Sequence, residues 1–133
     1  MSIADILTAN SLVSGSYAST WTSLTGFTSP PSSVTINWQR LGNVVQCSLL
    51  AVGVGISGLG INTATVTLPV LRALPFTGAL SEAAGEGVAY SALSQGGAYF
   101  TPTPGGFTAQ LNCQIGVSGT VNISCFLNYL LAG

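Results

Sequence analysis

Apolar and polar residues alternate along four separate stretches of this chain, and that two-residue period limits the folds it can adopt. Val34, Ile36 and Trp38 alternate with Thr35, Asn37 and Gln39, and Ala64, Val66 and Leu68 with Thr63, Thr65 and Thr67. Phe107, Ala109, Leu111 and Cys113 alternate with Thr108, Gln110, Asn112 and Gln114. Val121, Ile123, Cys125, Leu127 and Tyr129 alternate with Asn122, Ser124 and Asn128. Successive side chains of a strand point to opposite faces, so each stretch reads as a strand with one face in a core and the other in water. Val44 to Val52 is more continuously apolar, the pattern of a strand central in its sheet.

The breaks between these stretches carry turn chemistry: Ser29-Pro30-Pro31-Ser32, Leu41-Gly42-Asn43, Gly96-Gly97 and Pro102-Thr103-Pro104-Gly105-Gly106. No segment after residue 15 holds a helical period. The expected fold is all-β, an antiparallel, jelly-roll-like β-sandwich of about eight strands over residues 16–133. Residues 77–87 fit either a loop or a short helix. Arg40, beside the Gly42-Asn43 turn, is expected to be paired or to hydrogen-bond backbone carbonyls, and not to stand as a free surface charge.

Residues 1–15 form a distinct N-terminal arm. Ser2 with Asp5 three residues on is a weak helix-start signal, and Ile3, Ile6 and Leu7 would share one face of a single turn. A helix this short has no stability of its own. The arm therefore packs either on its own domain or on a neighbouring subunit, and Ile3, Ile6 and Leu7 are the candidate anchoring residues. The opening residues lack the basic start of a signal peptide. The uncharged stretch from Leu41 to Leu71 is interrupted by Gly53, Gly55, Gly58 and Gly60, so it reads as two strands around a glycine-rich loop and not as a membrane span.

Charge narrows the function. Charged residues make up 4% of the chain against roughly a quarter in soluble domains. They are Asp5, Arg40, Arg72, Glu82 and Glu86, with no Lys and no His. Capture of nucleic acid or of an anionic membrane needs clustered cations, which two arginines do not supply. A lone monomer with so few charges is prone to self-association, so the surface is expected to be covered by neighbouring subunits.

The residue inventory also argues against catalysis. Without His or Lys, no Ser-His-Asp or Cys-His arrangement can form, and no metal site is expected. Glu82 and Glu86 are the one acidic pair, read as a solvated loop around Gly85. Gly53-Val54-Gly55-Ile56-Ser57-Gly58 fits G-x-G-x-x-G, but a Thr-rich strand follows where a dinucleotide site needs a helix, so no cofactor is expected. Cys47, Cys113 and Cys125 lie in apolar stretches, as in a chain made in a reducing cytoplasm, with a Cys113–Cys125 bridge as the alternative. Among the aromatics, Trp38 is in phase with the core. Trp21, Tyr90, Tyr99 and Tyr129 are expected in core or intersubunit packing before any sugar-stacking role. The glycosylation-type triplet Asn122-Ile123-Ser124 falls in mid-strand.

The stretch from Trp38 through Gln39-Arg40-Leu41-Gly42-Asn43-Val44-Val45-Gln46 to Cys47 resembles a recurrent element of tailed-bacteriophage virion proteins, an aromatic and an Arg before a Gly-Asn turn that opens a Val-rich strand. Thr65-Val66-Thr67-Leu68-Pro69, the Pro75-Phe76 step and Phe126-Leu127-Asn128-Tyr129-Leu130 are similar as well. The resemblance spans roughly residues 16–131. It implies a jelly-roll-like β-sandwich, commonly a homotrimer, of the kind found in head decoration proteins, head fibres and fibre tips. It supplies no catalytic residues. With no shaft segment and with an N-terminal arm, the chain is expected to be a capsid decoration (cement) protein. Its partners would be itself and the major capsid protein, and its place the outer surface of the head. The rival is a receptor- or glycan-binding fibre domain, which needs exposed aromatics and amides converging on a shallow groove.

Overall fold

A computed structural model describes residues 12–57, 60–92, 94–116 and 118–131. Its elements are β1 (Leu12–Ala18), β2 (Trp21–Thr25), β3 (Phe27–Ser29), β4 (Ser33–Leu41), β5 (Val44–Ile56), β6 (Asn62–Val66), β7 (Ala83–Tyr90), β8 (Gln95–Pro102), β9 (Ala109–Cys113) and β10 (Gly119–Leu130). Every pairing is antiparallel, and the described residues contain no helix.

All the strands belong to one hydrogen-bonded sheet, in the order β1-β4-β5-β10-β7-β8-β9-β6-β2, with β3 also paired to β5. The sheet curls into a half-barrel. Gly26 separates β2 from β3 at φ +80°, and a Cβ there would collide with the Asn62 side chain. Glycine lets the chain change partners at that point, from Trp21 opposite Val66 in β6 to Phe27 opposite Ile56 in β5. The path of neighbours thereby returns to its own middle, and the curled sheet buries its concave face.

The alternating residues build the core. Val34, Ile36, Val45, Cys47, Leu49, Ala64, Val66, Leu111, Ile123, Cys125, Leu127 and Tyr129 are all buried. As expected, β5 is central, between β4 and β10. The Gly42-Asn43 turn joins β4 to β5 with Leu41 opposite Val44 and Gly42 at φ +59°. Glycine in the first central position of a two-residue loop suits the right-handed twist of the flanking strands.

The structure departs from the sequence reading in several places. The described residues form ten strands where about eight are expected. β1 starts at Leu12, inside the stretch assigned to the arm, and pairs Leu12–Ala18 with Thr35–Leu41. Gly53 and Gly55 are not in a loop: β5 continues through them to Ile56, paired with β10 and β3. Residues 83–87 belong to β7, whose small inward residues Ala83 and Ala89 lie close against β10.

Candidate functional site

The same alternation that fills the core orders the convex face of the sheet. On β10, burial of Ile123, Cys125, Leu127 and Tyr129 leaves Ser124, Phe126 and Asn128 outward. Register then sets rows across the strands. Phe126 lies opposite Ser48 of β5 and Glu86 of β7, and Glu86 lies opposite Tyr99 of β8. One step along, Ser14, Gln39, Gln46 and Asn128 line up on β1, β4, β5 and β10. The Gln39 amide Nε2 donates to Gln46 Oε1 at 2.6 Å.

Phe126 is 69% exposed, the most exposed aromatic among the described residues. Two shallow grooves flank it. One, of about 470 Å³, is lined by Ser14, Asn37, Gln39, Gln46, Ser48 and Asn128 beside Phe126, with Trp38 and Cys47 also contributing, and no charged residue lines it. The other, of about 440 Å³, lies between Phe126 and Glu86.

A second surface occupies one end of the half-barrel. The Leu131 amide donates to the Asn43 carbonyl at 2.9 Å, and the Arg72 guanidinium donates to the Leu130 carbonyl, through Nη1, and to that of Leu74, through Nε. These bonds tie the β4–β5 turn, the end of β10 and the segment after β6 together. Leu71, Leu74 and Leu80 of the segment between β6 and β7 are 65–72% exposed, and Leu41 and Val44, beside the β4–β5 turn, are 53 and 38% exposed and share a groove with Gln39 and Gln46.

The charges are placed differently from the sequence reading. Glu82 is buried, not solvated, and forms an ion pair with Arg72 at 3.1 Å. Its carboxylate also accepts from the Thr77 hydroxyl at 2.7 Å and from the amides of Thr77, Gly78 and Ala79 at 2.9, 3.0 and 3.0 Å. The Thr77 hydroxyl, with those amides behind it, holds the carboxyl below its ordinary range against the opposing effect of burial. Arg72 stacks over Phe76, 4.1 Å from the ring centroid. Glu86 stands apart, on the outward face of β7, so the two carboxylates share no site.

Arg40, Gly42 and Asn43 do come together. Arg40 Nε donates to the Gly42 carbonyl at 2.9 Å, as expected, although the side chain is exposed. Ile3, Ile6 and Leu7 lie outside the described residues. Trp21 and Tyr129 are buried, Trp38 is half-buried, and Tyr90 and Tyr99 are exposed. The three cysteines are buried free thiols, and β9 and β10, which carry Cys113 and Cys125, are not neighbours in the sheet. Among the described residues, no group of His, Cys, Asp and Glu could hold a metal ion.

The residue that sequence reasoning passes over is Phe126. Its signal was available: it is in phase with Ser124 and Asn128, on the polar face of its strand. Compared with protein-family models, with curated proteins and with solved structures, the chain matches none.

Proposed function

We propose that this protein is a structural subunit of a virion, a capsid decoration protein that assembles as a homotrimer and stabilises the head of a tailed bacteriophage from its outer surface. The observation that carries this reading is the apolar end of the half-barrel. Five large aliphatic side chains stand exposed there, on a chain with only five charged residues. Apolar area of that kind gains free energy by leaving water, at about 25 cal/mol per Å². A subunit that attaches by burying neutral surface needs rigid shape and no chemistry.

Two further features support it. The stretch from Trp38 to Cys47, on which the resemblance to phage virion proteins rests, forms the β4–β5 hairpin. The pairs β5–β10, β6–β9 and β7–β8 nest inside one another, the winding expected of a jelly-roll-like fold.

The test combines solution mass with attachment. Light scattering at micromolar concentration should give a trimer, and changing Leu71, Leu74 and Leu80 to Ser should weaken it. Deleting residues 2–11, which spares β1, should leave a folded β protein that no longer co-sediments with capsids lacking the decoration protein. A monomer that neither self-associates nor binds such capsids would overturn the reading.

A further inference from the structure

We propose that the convex face around Phe126 is a binding site for a neutral saccharide, adjoining the apolar end through which the subunit would assemble, where Gln39 and Gln46 border Leu41 and Val44. The argument begins with charge. The groove beside Phe126 is lined by hydroxyl and amide side chains together with Trp38 and Cys47, none of them formally charged, and the adjoining one adds only Glu86. A polyanion is repelled by that single carboxylate, and a polycation finds only one charge to meet. A hydroxyl-rich, uncharged ligand matches both grooves.

The functional groups fit that ligand in detail. An exposed aromatic ring offers a flat apolar surface for the C–H face of a pyranose. Each of Asn37, Gln39, Gln46 and Asn128 carries a donor and an acceptor on one amide, the pattern that satisfies adjacent sugar hydroxyls. Glu86 is acceptor-only when ionised and can take two hydroxyl protons. Tyr99, 48% exposed, stands two strands beyond Phe126 in the same register row, about 10 Å away at the usual strand spacing. Phe126 and Tyr99 therefore form two ring platforms with a carboxylate between them, on rigid strands.

A second copy of the chain fits this face poorly. A self-contact here would bury Glu86, and an unpaired buried carboxylate is costly. The chain has two side-chain cations, and Arg72 is already buried against Glu82. Arg40 alone would remain to neutralise Glu86, and it donates to Gly42 at the far end of β4.

The full-length protein, fluorescently labelled, should be applied to an array of neutral and acidic oligosaccharides built from glucose, galactose, mannose, N-acetylglucosamine and sialic acid. The expected result is binding to a subset of the neutral glycans. Phe126→Ala should lower that affinity at least tenfold, Phe126→Trp should retain it, and Glu86→Gln should weaken it several-fold. None of the three should change the melting temperature appreciably, because both side chains are exposed. The proposal is overturned if no neutral glycan binds, if only sialylated glycans bind, or if Phe126→Ala leaves binding intact. It is also overturned if Phe126→Ala dissociates the oligomer, which would make this face a subunit contact. Trimer formation and capsid attachment are measured separately, so either outcome on the array leaves the structural role to its own test.

Discussion

Replacing Tyr129 by Phe isolates one buried hydroxyl that ties the segment after β6 to the sheet. Tyr129 is 1% exposed, and its hydroxyl donates to the Val70 carbonyl at 2.8 Å while accepting from the Val70 amide at 3.0 Å. Phe keeps the ring, and with it the edge-to-face contact with Phe76 at 6.5 Å between centroids. What is lost is the oxygen, and both main-chain groups of Val70 lose their partner together. A buried polar group left unsatisfied costs about 1–3 kcal/mol. Val70 is only half-buried, so water can reach part of the vacancy and the expected loss lies in the lower half of that range, about 1–2 kcal/mol. For a chain of 133 residues this lowers the thermal midpoint by about 4–8 °C. Scanning calorimetry at neutral pH measures it directly, with far-ultraviolet circular dichroism as a check that the sheet is retained. A midpoint unchanged within a degree would refute the reasoning, since it would mean that Val70 finds equivalent partners without the hydroxyl.

Burial pushes the thiols of Cys47 and Cys125 up to about 12 and that of Cys113 up to about 11, the neighbouring Cys113 adding to the shift at Cys125. None should react with a thiol reagent in the native protein, and all three should react in guanidinium; one fast-reacting native thiol would contradict the burial. Unfolded thiols ionise near 9.0, so their contribution to stability is fully present below that pH and is lost as pH rises toward the folded values. Chemical denaturation at pH 8 and pH 10.5 should show the loss, and equal midpoints would count against it. At the acid end the sign reverses. The Glu82 carboxyl is held below its ordinary range, so its contribution is present above about pH 4.3 and is lost as pH falls through the folded value. Glu82→Gln should lower the melting temperature at pH 7 and flatten the decline below pH 4; an unaltered acid limb would show that the carboxylate contributes nothing there.

The strands were the most legible part of the chain, because the side-chain period is local. Trp38 and Tyr129 sit on inward phases as their alternation requires, and the Gly42-Asn43 turn is where its residue types place it. The glycine-rich stretch does separate two strands, β5 and β6, but its first glycines belong to β5 and not to the loop, for a physical reason. Gly53 and Gly55 have the composition of a loop, but β10 and β3 flank them and supply hydrogen-bond partners that a local reading does not see. The carboxylates illustrate the same limit. Glu82 and Glu86 are four residues apart, yet one faces Arg72 in the interior and the other faces solvent beside Phe126, because β7 begins between them.

By itself, then, the sequence determined the class of the fold and the narrowness of the chemistry: alternation selects strands, turn residues separate them, and an inventory without His or Lys leaves little for a nucleophile or a metal. Only the tertiary structure decided which outward residues stand side by side. Phe126, Glu86 and Tyr99 are far apart in the chain and become neighbours through the register of β10, β7 and β8. Strand register across a curled sheet depends on which strands pair and on where the chain changes partner, as at Gly26. Those are long-range contacts, and no local period encodes them.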